Sequence, residues 1–337
     1  MGTGRVAARQ AIPSTVLLLA VLAAGTGDTP AAARRFLLGD PADASPPTRP
    51  GFVLMGGGSD LDDAFRFMIE RSGGGDFVVL RARGGDDYNL YIRDLGTVNS
   101  VETLIIRNRR QASDAAVAET IGNAEALFIA GGDQSRYVRF WKGTPVEEAI
   151  HRVAARGAPI GGTSAGLAIL GEFSFAALVD TVTSPQALAD PYDRRVTLER
   201  DFLSFPGLAG LLTDSHFVER DRLGRSLVFL ARLMQDGWSA APREIAVDRA
   251  TALLIDAGGA ARLAGGPERA VYFLRPAGPP GVCRKDAPLT FKEVAVYRIQ
   301  GDATFDLTRW SGEGGTAYSL SVVEGRVTST QPGGALY

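Results

Sequence analysis

Ser164 sits between glycines in the stretch GGTSAG, residues 161–166. Its spacing, Gly162-Thr163-Ser164-Ala165-Gly166, is the G-x-S-x-G pattern of a nucleophile elbow, in which a strand turns sharply into a helix and lifts a hydroxyl into solvent. A serine hydroxyl is a poor nucleophile unless a base takes its proton and a third group orients that base. The chain offers two histidines. His151 lies within PVEEAIHRVAARG, a charged segment with helical spacing, and reads as a surface residue. His216 follows a strand-like run in TDSHFVERDRLGR and is the better base. Acyl transfer also needs N–H donors aimed at the developing charge. Ala165, directly after the serine, supplies one. Gly132, in the Gly131-Gly132-Asp133 turn, supplies a second, because a missing side chain lets a carbonyl approach closely.

These residues need a scaffold, and the apolar runs describe one. FVLMGGG (52–58), DFVVLRA (76–82), VETLIIR (101–107), EALFIAGGD (125–133) and APIGGTS (158–164) read as short buried strands. SDLDDAFRFMIERSGG reads as a capped helix with a glycine stop, and PVEEAIHRVAARG as a helix opened by proline and closed by Gly157. Asp60, Asp62 and Asp63 fit the acidic first turn of that first helix rather than a cation site. Strand and helix alternating in this way predict an α/β fold with a mostly parallel sheet flanked by helices. Ligands in such folds sit beyond the carboxyl ends of the strands. The glycine-rich turns at 56–58, 131–134 and 161–166 are therefore expected to meet at one crevice. The GGG turn lacks the rest of a dinucleotide fingerprint. Further on, LAGLLTDSHF (208–217) reads as a strand, 222–237 as a helix and 244–259 as a β-hairpin. The strand-like runs after 269 are expected to pad the sheet edge.

Composition narrows the function. Hydrophobic residues make up 45% and charged residues 22% of 337 positions, an ordinary globular profile. A formal net charge of −2 without a basic stripe gives no reason to expect nucleic acid. Cys283 is the only cysteine, so no intrachain disulfide is expected, and no cysteine pair has zinc spacing. Neither a metal nor a cofactor is expected. The N-terminus carries Arg5 and Arg9, then the apolar run VLLLAVLAAG and the small-residue exit TPAAARR. That reads as a signal peptide over 1–33, cleaved near Ala33, because the apolar run falls short of the ~20 residues a membrane span needs. A secreted or periplasmic product follows, with no membrane contact once the leader is gone. Residues 34–50 read as a linker, 51–300 as the α/β domain and 301–337 as a β-rich C-terminal extension packed on it.

Order along the chain separates hydrolase types. An α/β-hydrolase places its histidine last, after an acid and several strands. Here the histidine follows the serine by only 52 residues, which disfavours an esterase of that kind. IAGGDQ (129–134), GGTSAG (161–166), DSHFVERDRLGR (214–225) and IAVDRATA (245–252), in this order, resemble the cyanophycinase branch of the S51 serine peptidases. The resemblance covers roughly 51–300. It implies a three-layer sandwich related to class I glutamine amidotransferases and metal-free cleavage at aspartyl residues, as in the β-Asp-Arg polymer cyanophycin. It also implies Ser164 as nucleophile, His216 as base and Gln134 beside the substrate pocket. Asp214, Arg220, Arg222 and Arg225 then match polar positions that recognise the substrate's charged groups. The expected partner is an aspartyl-containing peptide or polypeptide, and a homodimer is admitted.

Two positions depart from the family pattern. Ser215 stands where glutamine is usual before the histidine. Asp248-Arg249 stands where the family has Asp-Glu, with the glutamate orienting the histidine. The orienting acid is therefore expected at Asp248, with Asp214 the other candidate. Arg249 also motivates a second reading, a binding protein on the same scaffold.

Overall fold

Runs such as ALFI and FVVL are apolar at every position because a parallel sheet buries both of its faces. They occupy the first half of the chain. The computed structural model describes residues 1–2 and 32–337. The leader expected over 1–33 falls, but for its two ends, outside the described residues. In chain order the first half comprises β1 (Arg34–Gly39), β2 (Gly51–Met55), α1 (Asp62–Arg71), β3 (Asp76–Arg81), α2 (Asp87–Leu95), β4 (Ser100–Ile105), α3 (Arg109–Ala112), α4 (Ala115–Asn123), β5 (Ala126–Ile129), α5 (Gln134–Trp141), α6 (Pro145–Ala155) and β6 (Ile160–Thr163). There follow β7 (Ser174–Phe175), α7 (Ser184–Ala189), β8 (Leu198–Glu199), β9 (Leu211–Asp214) and α8 (Leu223–Gln235). The rest is strand: β10 (Arg243–Val247), β11 (Thr251–Asp256), β12 (Ala260–Gly265), β13 (Ala270–Pro276), β14 (Phe291–Gln300), β15 (Thr304–Asp306), β16 (Ser311–Glu313), β17 (Thr316–Val323) and β18 (Arg326–Ser329).

Among the described residues, ten strands form one sheet in the order β1-β4-β3-β5-β6-β2-β11-β12-β15-β16. Its centre, β4-β3-β5-β6-β2, is parallel, as the alternation of strand and helix requires. Side chains alternate across it with period two. Phe77, Val79 and Phe128 pack with Ala64, Phe65 and Met68 of α1 on one face. Val78, Leu127 and Ile129 pack with α4 and α6 on the other. Helix α6 shows why it forms: Pro145 opens it, and Val146, Ala149, Ile150 and Val153 put one apolar stripe on the sheet. Asp62 and Asp63 lie in the first turn of α1 and pair with Arg66, while Asp60 precedes the helix.

A second, six-stranded sheet runs β18-β17-β14-β13-β10-β9. Ile245, Val247, Val271 and Phe273 turn one face of it toward the first core, and Phe273 stacks on Phe305 at 3.6 Å between ring centroids. Ala246, Tyr272 and Leu274 face α8. Three layers of sheet and helix, with extra C-terminal strands, match the expected α/β class.

Three details differ from the sequence reading. The segment expected as a linker begins with a strand: β1 pairs antiparallel with β4 at the sheet edge. Residues 244–259 are no hairpin, because β10 joins β9 and β13 while β11 joins β2 and β12. The chain crosses between the two sheets at residues 248–250. The strands after 269 are divided likewise, most in the second sheet and β15 and β16 at the edge of the first.

Candidate active site

The end of β6 makes the elbow. Ser164 has φ +52°, a left-handed conformation that non-glycine residues rarely adopt. Its glycine neighbours have steric reasons for being glycine. A Cβ on Gly162 would strike the backbone of Gly166, and a Cβ on Gly166 would strike the Ile129 carbonyl of β5. Without those methyls the chain folds back tightly over β5 and β6. The Ser164 N–H donates to the Met55 carbonyl of β2 at 3.0 Å, and Gly166 N–H to Thr163 at 2.8 Å. A short 3₁₀ turn, Leu167–Ile169, follows in place of the α-helix that the elbow pattern implied.

His216 comes from the loop after β9 and meets the serine. Its Nε2 lies 2.9 Å from Ser164 Oγ, and its Nδ1 lies 2.9 Å from Glu219 Oε2. A carboxylate only accepts, so Nδ1 carries the proton and Nε2 is left to accept from the serine hydroxyl. The imidazole is 6% exposed. Burial pushes its pKa below the ordinary imidazole value; the Glu219 hydrogen bond works against that shift, and the charges of Arg220 and Arg222 reinforce it. The Glu219 carboxyl is held below the usual range, first by its bond to His216 and also by Arg249 and Arg220. Gly57, at φ +88°, is packed against this pair, and a methyl there would run into His216 Nε2. Gly131 also borders the serine: a Cβ on it would stand 3.5 Å from Ser164 Cβ. The turns at 56–58, 131–134 and 161–166 do meet around Ser164.

The other expected site residues divide sharply. Asp248 does not reach His216. Its two oxygens accept from the backbone N–H groups of Val218 and Ala270, each at 3.2 Å, so it fastens the histidine loop from behind. Asp214 is also unavailable, because Arg225 grips both of its oxygens at 2.6–2.9 Å and Arg222 adds a bond at 3.0 Å. Burial alone would raise the Asp214 pKa, but the two guanidiniums outweigh it and hold the carboxyl low. Arg225, 2% exposed, further stacks on Phe175 and Phe229. Asp214, Arg222 and Arg225 therefore form a buried structural triad rather than substrate contacts. Arg220 remains exposed beside the histidine. Gln134 is half-buried at the start of α5 and donates to the Phe175 carbonyl at 3.3 Å. Gly132 has φ +154°, and the Tyr137 hydroxyl lies 2.8 Å and 3.1 Å from the carbonyl oxygens just before it. Ala165 is buried directly after the serine. His151 sits on α6 and accepts from Ser204 N–H at 3.1 Å.

Sequence reasoning missed two residues at this site, Gly57 and Glu219. The first was visible as a glycine run ending the first strand of the domain. The second was a carboxylate three residues beyond the histidine, in a segment already singled out.

Comparison with known proteins finds similarity in sequence and in fold. The sequence profile described as Peptidase family S51 matches residues 88–188. A cyanophycinase from Geminocystis herdmanii is 29% identical over 44% of this chain. A cyanophycinase from Synechococcus elongatus is 29% identical over 64% of it. Over residues 88–188 the chain is thus similar to peptidase family S51. It spans 50% and 66% of the lengths of these two relatives. In fold it also matches the crystal structure of a peptidase from an acI-B1 Actinobacterium, with a TM-score of 0.52 at 15% identity, over 77% of this chain and 98% of that one.

Two outcomes test this geometry. Asp214→Ala leaves two buried guanidiniums without their acid and is expected to cost about 3–5 kcal/mol in a denaturant melt. Gly57→Ala keeps the core intact but displaces the imidazole, and is expected to lower kcat on the order of 100-fold with hydrolysis as the readout.

Proposed function

We propose that this protein is a secreted serine-type peptidase that cleaves peptide bonds at aspartyl residues. The observation that carries the reading is the serine–imidazole contact of 2.9 Å, with the far imidazole nitrogen engaged by a carboxylate. In the proposed reaction Ser164 Oγ attacks the scissile carbonyl carbon while its proton passes to His216 Nε2. The N–H groups of Ala165 and Gly132 are the donors for the resulting oxyanion. His216 then gives its proton to the leaving amine, the C–N bond breaks, and an acyl ester remains on Ser164. Water attacks that ester while His216 takes its proton, then the C–Oγ bond breaks as His216 returns that proton to Ser164 Oγ, and the acid product leaves with serine and neutral imidazole restored.

Aspartyl specificity draws support from charge. Arg220 is exposed and the Arg249 side chain half-exposed, both close enough to the His216–Glu219 pair to shift its titration. A substrate carboxylate docking beside the serine is met by these cations, since a guanidinium fork suits a carboxylate. The two relatives described above are cyanophycinases, which makes a β-Asp-Arg linkage the first substrate to try. Secretion rests on the leader pattern of the first 33 residues. A binding-only protein was suggested by Arg249 at an expected acid position; that motive weakens once Glu219 stands on the imidazole.

Ser164→Ala is expected to remove hydrolysis of β-Asp-Arg and α-aspartyl peptides to background, and retention of full activity would overturn the proposal. The base must be neutral to act. With its pKa depressed, His216 stays active below the ordinary imidazole value of about 6.5. Activity is then lost only as pH falls through the lowered pKa. A kcat/KM profile should show that acidic limb, and Arg220→Ala, which removes a cation, should move it to higher pH.

A further inference from the structure

We infer that Glu219 is the acid that positions His216 and that Arg249 holds it there, in place of the glutamate that the family resemblance implies at 249. The inference rests on the reading of Ser164 and His216 as a catalytic pair. Three observations carry it. The Glu219 carboxylate lies 2.9 Å from Nδ1, the nitrogen opposite the serine. The other two carboxylates considered for the role are committed elsewhere: Asp214 to Arg222 and Arg225, Asp248 to two backbone N–H groups. And Arg249, where a glutamate was expected, lays its side chain along Gly58 and brings Nε to 3.9 Å from Glu219 Oε1.

The loop geometry explains how an acid three residues downstream reaches back. His216 has φ +48°, which reverses the chain after β9. Arg220 N–H donates to His216 C=O at 3.1 Å, Asp221 N–H to Val218 at 3.0 Å and Arg222 N–H to Phe217 at 2.9 Å. These turns coil residues 216–222 so that side chain 219 returns over imidazole 216. Asp248 secures the middle of the coil through Val218 N–H. Positions 248 and 249 thus still serve the histidine, one through backbone and one through the acid it orients. Glu219 is 40% exposed and Arg249 50%, so their attraction is screened and modest. The role of Arg249 is to restrict where the carboxylate points. With glutamate at 249 and no acid at 219, the same cleft would present a carboxylate from the other side.

The charged groups around the imidazole are Glu219, Arg220 and Arg222, and those around Glu219 are His216, Arg249 and Arg220. Glu219→Gln keeps the shape and removes the charge. It is expected to lower kcat at least about 100-fold, with KM little changed, because the imidazole loses its orientation and its counter-charge. Replacing Arg249 by Glu in that variant, E219Q/R249E, is expected to recover at least about 10-fold, read as a double-mutant cycle. A second readout needs no substrate. The chain has two histidines, so their imidazole signals can be titrated by NMR, with His151 as internal reference. In Glu219→Gln, His216 should titrate at lower pH than in the unaltered protein. An unchanged His216 titration, or a kcat within about 3-fold of the unaltered protein, overturns the positioning role. A double variant no better than Glu219→Gln overturns the claim that position 219 stands in for position 249. Failure of the peptidase reading shows separately, as Ser164→Ala retaining activity while the His216 titration still responds to Glu219.

Discussion

Three carbonyl oxygens at the end of β2 hold the site together. Met55 accepts the N–H of Ser164, Gly56 that of His216 at 2.9 Å and Gly57 that of Ala250 at 2.7 Å. Ser164 ends β6, His216 begins the loop after β9, and Ala250 lies in the crossover from β10 to β11. Three segments remote in sequence are thus tied to three consecutive residues, the last of β2 and the first two of the turn that follows it. A Cβ on Gly56 would strike the Asp248 carbonyl, and one on Gly57 would strike the imidazole. The glycines at 56 and 57 are what let three backbones approach so closely, a use that glycine alone permits. Each such bond contributes only about 1 kcal/mol net. Their value is geometric: they fix the distance between nucleophile and base from a common origin.

Beneath this surface lies a second constraint. The DSHFVERDRLGR segment is divided by burial into two chemistries. Asp214, Arg222 and Arg225 point inward and neutralise one another, while His216, Glu219 and Arg220 gather at the crevice. An isolated buried charge is costly, so an arginine as deep as Arg225 must meet an acid. That requirement fixes Asp214, and with it the end of β9 from which the histidine loop departs. The neighbouring Glu244 has no such partner. Burial pushes its pKa up to about 8, and the carboxyl accepts one hydrogen bond, from Ser226 at 2.6 Å. One acid in the second sheet is ionised and paired, and the other stays protonated near neutral pH.

The legible parts of the sequence were those governed by local rules. Parallel strands buried on both faces read as continuous apolar runs, so β2 to β6 were found where they are. The glycine turns marked the crevice, and the elbow spacing marked Ser164. Strand β1 was missed because an edge strand with four of its six residues exposed carries little hydrophobic signal. The supposed hairpin at 244–259 was missed for a different reason. Two apolar strands joined by a polar turn look the same whether they pair with each other or separate into two sheets. Tertiary pairing decides that, through Leu211–Asp214 on one side and Gly51–Met55 on the other. Asp248 was chosen as the orienting acid by position within a family pattern, and Arg222 and Arg225 as substrate contacts by their charge. Neither pattern nor charge encodes which way a side chain faces.

Backbone conformation supplies what the sequence withheld. Ser164, His216 and Ala250, the three residues that donate to the end of β2, all have left-handed φ, +52°, +48° and +52°. For residues with a Cβ such a conformation costs on the order of 1–3 kcal/mol each. The cost persists only where surrounding structure over-determines it, and here each residue is pinned by a hydrogen bond to the end of β2 or the turn directly after it. The strain has a consequence for side chains. At Ser164 it swings the hydroxyl out of the sheet, and at His216 it turns the following residues back on the ring. Relaxing either residue to an ordinary conformation would break its bond to β2 and separate Oγ from Nε2. The reach of Glu219 back to Nδ1 depends on that same turn at His216, so the third member of the array is set by a backbone angle rather than by its place in a motif.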